Sequence, residues 1–135
     1  MRLAHLSLVI ACSAGCFLEP STRVTGSWGG RLVGLDSRGM DVRIEFVCSR
    51  AVAPQLPVDG SGRFEGTAEV TDVTWAGPRP TTLRLSGQVS DGDMSLEVAS
   101  VWPPPGGQTD PVITYESFSL RRGVPPDFSG YGCLL

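Results

Sequence analysis

The sequence predicts an all-β domain: a single antiparallel meander barrel or flattened sandwich of seven or eight strands. Three observations predict it. Stretches of strict two-residue alternation recur along the chain, the clearest running from Met40 to Cys48, with Met40, Val42, Ile44, Phe46 and Cys48 on one face and Asp41, Arg43 and Glu45 on the other. That period belongs to a half-buried strand. Short clusters of Gly, Asp, Ser and Pro, the residues that turn a chain, separate these stretches. Beyond the first 16 residues no long run has a helical period. Strands joined in sequence order by short links close most simply into a meander.

Taken in order, the segment opened by Trp28 in Gly26-Ser27-Trp28-Gly29-Gly30 is expected to pair with the Met40–Cys48 strand through Asp36-Ser37-Arg38-Gly39, a polar link ending in a glycine able to take φ > 0. A loop containing Pro54 follows, then a short strand through Leu56 and Val58. Asp59-Gly60-Ser61-Gly62 turns the chain into Arg63–Val70, with Phe64, Gly66, Ala68 and Val70 inward and Glu65, Thr67 and Glu69 outward. Apolar Val73 and Trp75 then sit at odd positions, which predicts a bulge or strand end near Asp72. Ala76 to Pro80 forms a loop. Leu83, Leu85, Gly87 and Val89 share a face, Asp91-Gly92-Asp93 turns, and Met94, Leu96, Val98 and Trp102 return. Three prolines and two glycines after Trp102 break the sheet. Val112 to Leu120 is a last long strand whose parity the sequence leaves open, and a Pro125-Pro126 tail carries Tyr131 and Cys133 back.

The chain has 135 residues and divides into an export signal over residues 1–15, a tether over 16–25 and the β-barrel domain over 26–135. Met1 to Cys16 holds one arginine and then a short apolar run, too short for the roughly 20 residues of a spanning helix but suited to an export signal. Ser13-Ala14-Gly15-Cys16 resembles the lipobox of bacterial lipoproteins, in which the cysteine is lipid-modified and becomes the first residue. Val9-Ile10-Ala11-Cys12 matches that box as well. Acylation at Cys16 leaves Cys48 and Cys133 as an even pair, whereas acylation at Cys12 strands a free thiol, so Cys16 is the expected lipid-attachment residue. The expected address is exported and anchored in a bacterial membrane through the N-terminal lipid, facing the periplasm or the cell surface. In that oxidising setting Cys48 and Cys133 are expected to form a disulfide that ties the tail to the first hairpin.

Composition excludes several functions. A net charge of -3, with acids and bases scattered, gives no basic face for a nucleic-acid partner. The one histidine is His5, in the leader, so the mature chain has no Ser-His or Cys-His pair and no histidine-ligated metal. The acidic turns Asp91-Gly92-Asp93 and Asp59-Gly60-Ser61-Gly62 lack the six to eight oxygen ligands of a calcium loop. Glu65 and Glu69 share a face but lie about 13 Å apart along a strand, too far for paired catalytic carboxylates. No enzyme activity, cofactor or metal is expected.

The order Gly-x-Trp-Gly-Gly (Gly26 to Gly30), a strand into Cys48, Asp59-x-x-Gly62-Arg63-Phe64, Gly87, Met94-x-Leu96-x-Val98, Leu120-x-Arg122-Gly123 and Cys133-Leu134 resembles a group of small exported bacterial proteins with no assigned activity. That resemblance spans nearly all of the mature chain and implies a small β fold, an exported address and no catalytic residues. A partial likeness links Ser61-Gly62-Arg63-Phe64 to the Ser-Gly-x-x-Tyr loop of lipoproteins that inhibit lysozyme, with Phe64 where the pattern has Tyr. The expected role is therefore a lipid-anchored envelope domain that binds a partner or serves a structural purpose. The alternatives are an inhibitor of a wall-degrading enzyme, contacting it through Ser61 and Arg63, and a small-ligand carrier of the lipocalin or avidin kind. In the carrier, Trp28, Trp75 and Trp102 would line the cavity. An unknown envelope protein or a small ligand is the expected partner, and an interior packed solid or opened by tryptophans separates the readings.

Overall fold

The computed structural model describes residues 22–133. The expected export signal with Cys12 and Cys16, the first part of the expected tether, and Leu134 lie outside the described residues. Eight strands, β1 (Gly26–Gly30), β2 (Val33–Arg38), β3 (Asp41–Phe46), β4 (Ser49–Pro54), β5 (Arg63–Val73), β6 (Thr82–Ser90), β7 (Asp93–Trp102) and β8 (Val112–Arg122), form a closed antiparallel barrel in sequence order. Of the two architectures the pattern allowed, the meander barrel is the one adopted.

Alternation builds the inside. Val42 and Ile44 of β3, Phe64 and Ala68 of β5, Leu83 and Leu85 of β6, and Met94, Leu96 and Val98 of β7 are all buried. The predicted parity break is a shift in the β4–β5 register: Ala51 pairs with Val70 but Arg50 with Asp72, so Thr71 is passed over as a bulge.

Three local expectations are corrected. Residues 26–38 are two strands and not one, because Arg31-Leu32 makes a two-residue turn between the Gly30↔Val33 pair. No glycine or asparagine marks that turn; Leu32 takes the left-handed φ of 68° itself, a conformation that costs a non-glycine residue energy. Met40 is not on the inward face but in the Gly39–Met40 turn that follows β2, 78% exposed. The expected Pro54 loop is instead strand β4, its Ala51 and Ala53 buried; Leu56 and Val58 lie outside the strands, with Val58 in an isolated bridge to Phe64. In the β6–β7 hairpin the positive φ of 54° falls on Asp91.

The turns alternate between two ends of the barrel. One end carries the start of β1, the Gly39–Met40 turn, the β4–β5 link and Asp91–Gly92. Here the Leu56 side chain is folded inward and only 1% exposed; a Cβ on the facing Gly66 would overlap its Cδ2. Val24 caps it, its N–H donating to the Leu56 carbonyl at 2.9 Å. Phe64 fills the next layer above Gly87, where a Cβ would come within 2.9 Å of its ring. This end is closed.

At the other end the last eleven described residues act as a strap. Leaving β8, the chain runs across the outer face of β1 and β2, where Gly29 and Gly34 have no side chains to hold it off: a Cβ at Gly29 would sit 2.6 Å from the Pro125 carbonyl carbon, and one at Gly34 3.0 Å from the Pro126 ring. Asp127 then bonds both sides of the first turn, accepting from Leu32 N–H at 2.8 Å and donating to the Gly30 carbonyl at 3.0 Å. Cys133 ends the run in a disulfide with Cys48, 85 positions away in sequence and 5.3 Å away between α-carbons, inside the range a disulfide requires. The expected staple is present, and it joins the tail to the first hairpin and to the β3–β4 turn.

Candidate functional site

The barrel's seam sets up the site. β8 pairs with β1 at only three positions, Trp28↔Arg122, Gly29↔Arg121 and Gly30↔Leu120, whereas its ladder with β7 runs the full length from Asp93↔Arg121 to Trp102↔Val112. The upper halves of β7 and β8 therefore rise past the short first hairpin and wall one side of an open mouth, at the end away from Leu56. A recess of about 400 Å³ lies in that mouth, within the volume range of small-molecule sites.

Its lining is aromatic. Trp75 comes from the β5–β6 loop, Trp102 from the end of β7, Phe46 from β3, Phe118 from β8 and Tyr131 from the strap, with the Cys48 turn on the rim. Phe46 and Phe118 meet across the barrel with centroids 5.9 Å apart and planes at 45°, a tilted contact favoured by the ring quadrupoles. They floor the recess. Both rim tryptophans have their N–H groups engaged, Trp75 donating to the Pro78 carbonyl at 2.8 Å and Trp102 to the Thr114 hydroxyl at 2.9 Å. These bonds fix the rings, and what they leave for a ligand is the ring faces.

The parity of β8, open in the sequence, is settled by its pairing. Leu120 is opposite Met94, Phe118 opposite Leu96, Glu116 opposite Val98, Thr114 opposite Ser100 and Val112 opposite Trp102. Since Met94, Leu96 and Val98 are buried inside, the even-numbered residues of β8 share the inward side; toward the mouth that side turns polar and exposed, with Thr114 and the Glu116 carboxylate. It lines the recess, and the ion pairs among the described residues join Arg38 to Asp36, Arg50 to Glu45 and Arg121 to Asp93, leaving Glu116 outside them.

The sequence-predicted site residues separate. Trp75 and Trp102 come together at the mouth. Trp28 does not join them: it is buried in the core, its N–H donating to the Thr25 carbonyl at 2.9 Å and its ring carrying the Arg122 guanidinium 4.5 Å from the centroid. Ser61 and Arg63 lie at the closed end, and their turn is organised by Asp59, whose Oδ1 accepts from the Ser61 hydroxyl at 2.7 Å and from the Ser61 and Arg63 amides at 2.9 and 3.0 Å. Those bonds, the Ser61 hydroxyl first, hold the Asp59 carboxyl below its ordinary value. Phe64, the residue matched to the inhibitors' tyrosine, is buried in the core.

Phe46, Phe118, Tyr131 and Glu116 were not singled out by sequence. The signal that could have found three of them is the parity of β8 counted backwards from Leu120 and of β3 counted forwards from Ile44. A larger recess, about 710 Å³, lies on the outer flank between β2–β4 and the strap, but its Asp36 and Glu45 carboxylates are already paired with Arg38 and Arg50, as on a solvated charged face. Among the described residues no cluster of histidine, cysteine, aspartate or glutamate could hold a metal. No family model, curated protein or solved structure matches the chain.

Proposed function

We propose that the chain is a non-catalytic binding module of the bacterial envelope, anchored by a lipid on Cys16, that takes a small apolar ligand into the aromatic mouth. The observation that carries this reading is the asymmetry of the barrel: one end plugged by Leu56, the other open and lined by Trp75, Trp102, Phe46 and Phe118. Binding is favoured over turnover because the chain beyond the expected leader with His5 holds no histidine, the side chain whose ordinary pKa lies near neutrality. The carrier alternative thus merges with the anchored-domain reading. For the inhibitor alternative, Ser61 and Arg63 stay exposed in their turn while Phe64, at the place of the pattern's tyrosine, is buried.

The chain's path supports an outward-facing arrangement. The tether reaches the barrel at the plugged end, where the Thr22 carbonyl accepts from Val58 N–H at 2.8 Å. Five residues separate Cys16 from Thr22, a reach of at most about 20 Å when extended. A lipid on Cys16 would hold the plugged end near the membrane and turn the mouth away from it, toward ligand in solution.

The test is a neutral, environment-sensitive apolar fluorophore such as N-phenyl-1-naphthylamine, titrated with the folded domain. Saturable fluorescence enhancement that falls by about tenfold in apparent affinity in Trp102→Ala, with Ser61→Ala unchanged, is the expected result, given the loss of one aromatic wall. No saturable binding, or binding unaffected at the mouth, would sink the reading.

A further inference from the structure

We propose that the ligand of the mouth is an organic cation, an apolar or ring-bearing body that carries a quaternary or protonated amine. The inference rests on the mouth being a ligand site and adds the chemical class it selects.

Every polar feature of the recess favours positive charge. The rim indoles present their faces and not their N–H groups, because those donors are spent on Pro78 and Thr114. An indole face is the strongest of the aromatic surfaces in its attraction for a cation, through the ring quadrupole. With Trp75 and Trp102 above and Phe46 and Phe118 below, a trimethylammonium-sized head would meet π surface on several sides. Such an arrangement is electron-rich, and an ammonium over an indole face is attracted to it even at an exposed site.

Glu116 adds the formal charge. Strand geometry puts it two residues from Thr114, about 7 Å along the same face, and Thr114 holds the Trp102 ring. None of the arginines lines the recess, so among the lining residues Glu116 is the one charged group. Glu116 is exposed at the mouth, and among the described residues it stands outside the ion pairs Arg38–Asp36, Arg50–Glu45 and Arg121–Asp93, so its charge is left to meet a cation that enters the recess. An anionic ligand would meet repulsion from the carboxylate and from the ring faces alike.

The experiment follows the three indole N–H signals of protein labelled with nitrogen-15 at tryptophan. Probes are choline, benzyltrimethylammonium, and the uncharged isostere of choline in which a carbon replaces the quaternary nitrogen. The cations should shift the Trp75 and Trp102 signals and leave Trp28 in place, with choline binding about tenfold more tightly than its isostere. Glu116→Gln, a change at an exposed residue, should weaken the cations toward the isostere, and Glu69→Gln, on the outer face of β5 away from the recess, should leave them as they were. Equal binding of choline and its isostere, or cation binding indifferent to Glu116→Gln, would overturn the charge selectivity and leave the apolar mouth standing. Failure of the fluorophore as well as the cations would remove the mouth as a site, and this inference with it.

Discussion

Leu56 and Val24 at one end of the barrel are 1% and 2% exposed, whereas Trp75 and Trp102 at the other stand half-buried around an open recess. Both ends draw on large apolar residues; the difference lies in what faces them. At the plugged end the inward glycines Gly66 and Gly87 give up their side-chain volume to Leu56 and Phe64, so a neighbouring segment packs into the space at near-crystalline density. At the mouth no segment is folded in. The aromatics line the wall, the bottom is closed by the Phe46–Phe118 contact, and a carboxylate occupies an inward position. The tight packing lies at the plug, and the proposed binding at the mouth.

The largest test of that division is the staple, which serves the mouth end. Replacing both cysteines, Cys48→Ser with Cys133→Ser, opens a loop of 85 positions, for which chain entropy sets an upper bound of about 4 to 5 kcal/mol. Urea unfolding should show a large fall in midpoint, and limited proteolysis should cut first in the strap; an unchanged midpoint would mean that the strap holds without its bond. The next test sets one end against the other. Leu56→Ala should cost about 2 to 5 kcal/mol by opening a cavity in the plug, with fluorophore binding retained in the fraction that folds. Trp102→Ala should cost about 1 kcal/mol or less, since its ring is only half-buried, yet weaken fluorophore binding about tenfold. A reversal of the two stability losses would place the folding core at the mouth and break the comparison.

The smallest effect is electrostatic and belongs to the plugged end. Asp59 has its carboxyl lowered by the Ser61 hydroxyl and the turn amides from an ordinary value of 3.8. With the folded value below the unfolded one, the turn's contribution is present above the unfolded value and is lost as pH falls through the folded one. Stability measured by urea at a series of pH values should decline below pH 3.8, and part of that slope should vanish in Asp59→Asn. The strap contributes in the same sense through Asp127, lowered chiefly by the Ser129 hydroxyl, so Asp127→Asn should remove a further part. A slope identical in wild type and both variants would assign the acid sensitivity elsewhere.

The elements legible in the sequence were those whose local chemistry agrees with the fold. Asp91-Gly92, Asp59 to Gly62 and the alternation through Ile44, Phe64 and Leu96 all state one face and one turn. The Arg31-Leu32 turn was hidden because a leucine holds the left-handed position, kept there by the Asp127 carbonyl that accepts from its N–H. Strand β4 was hidden by Pro54 and by alanines too small to register as a hydrophobic face. At the site, the tryptophans were visible as residue types but their grouping was not, since Trp28 differs from Trp75 and Trp102 only in where its strand sits. Glu116 escaped for a different reason: a charge on the side of a strand that faces the mouth breaks the alternation by which an inner face is found in a sequence.

Closure of the barrel depends on its latest segments. Trp28 pairs with Arg122 and Gly30 with Leu120, and the strap that covers Gly29 and Gly34 is made of residues later still. Until those residues have left the ribosome, β1 keeps a free edge and the core has no last wall. Contacts of such long sequence separation also form slowly, because loop closure must precede any gain from them. The topology thus defers the finished barrel until its last strand and the strap are available to cover β1, while the consecutive hairpins from β2 to β7 depend only on neighbours in sequence.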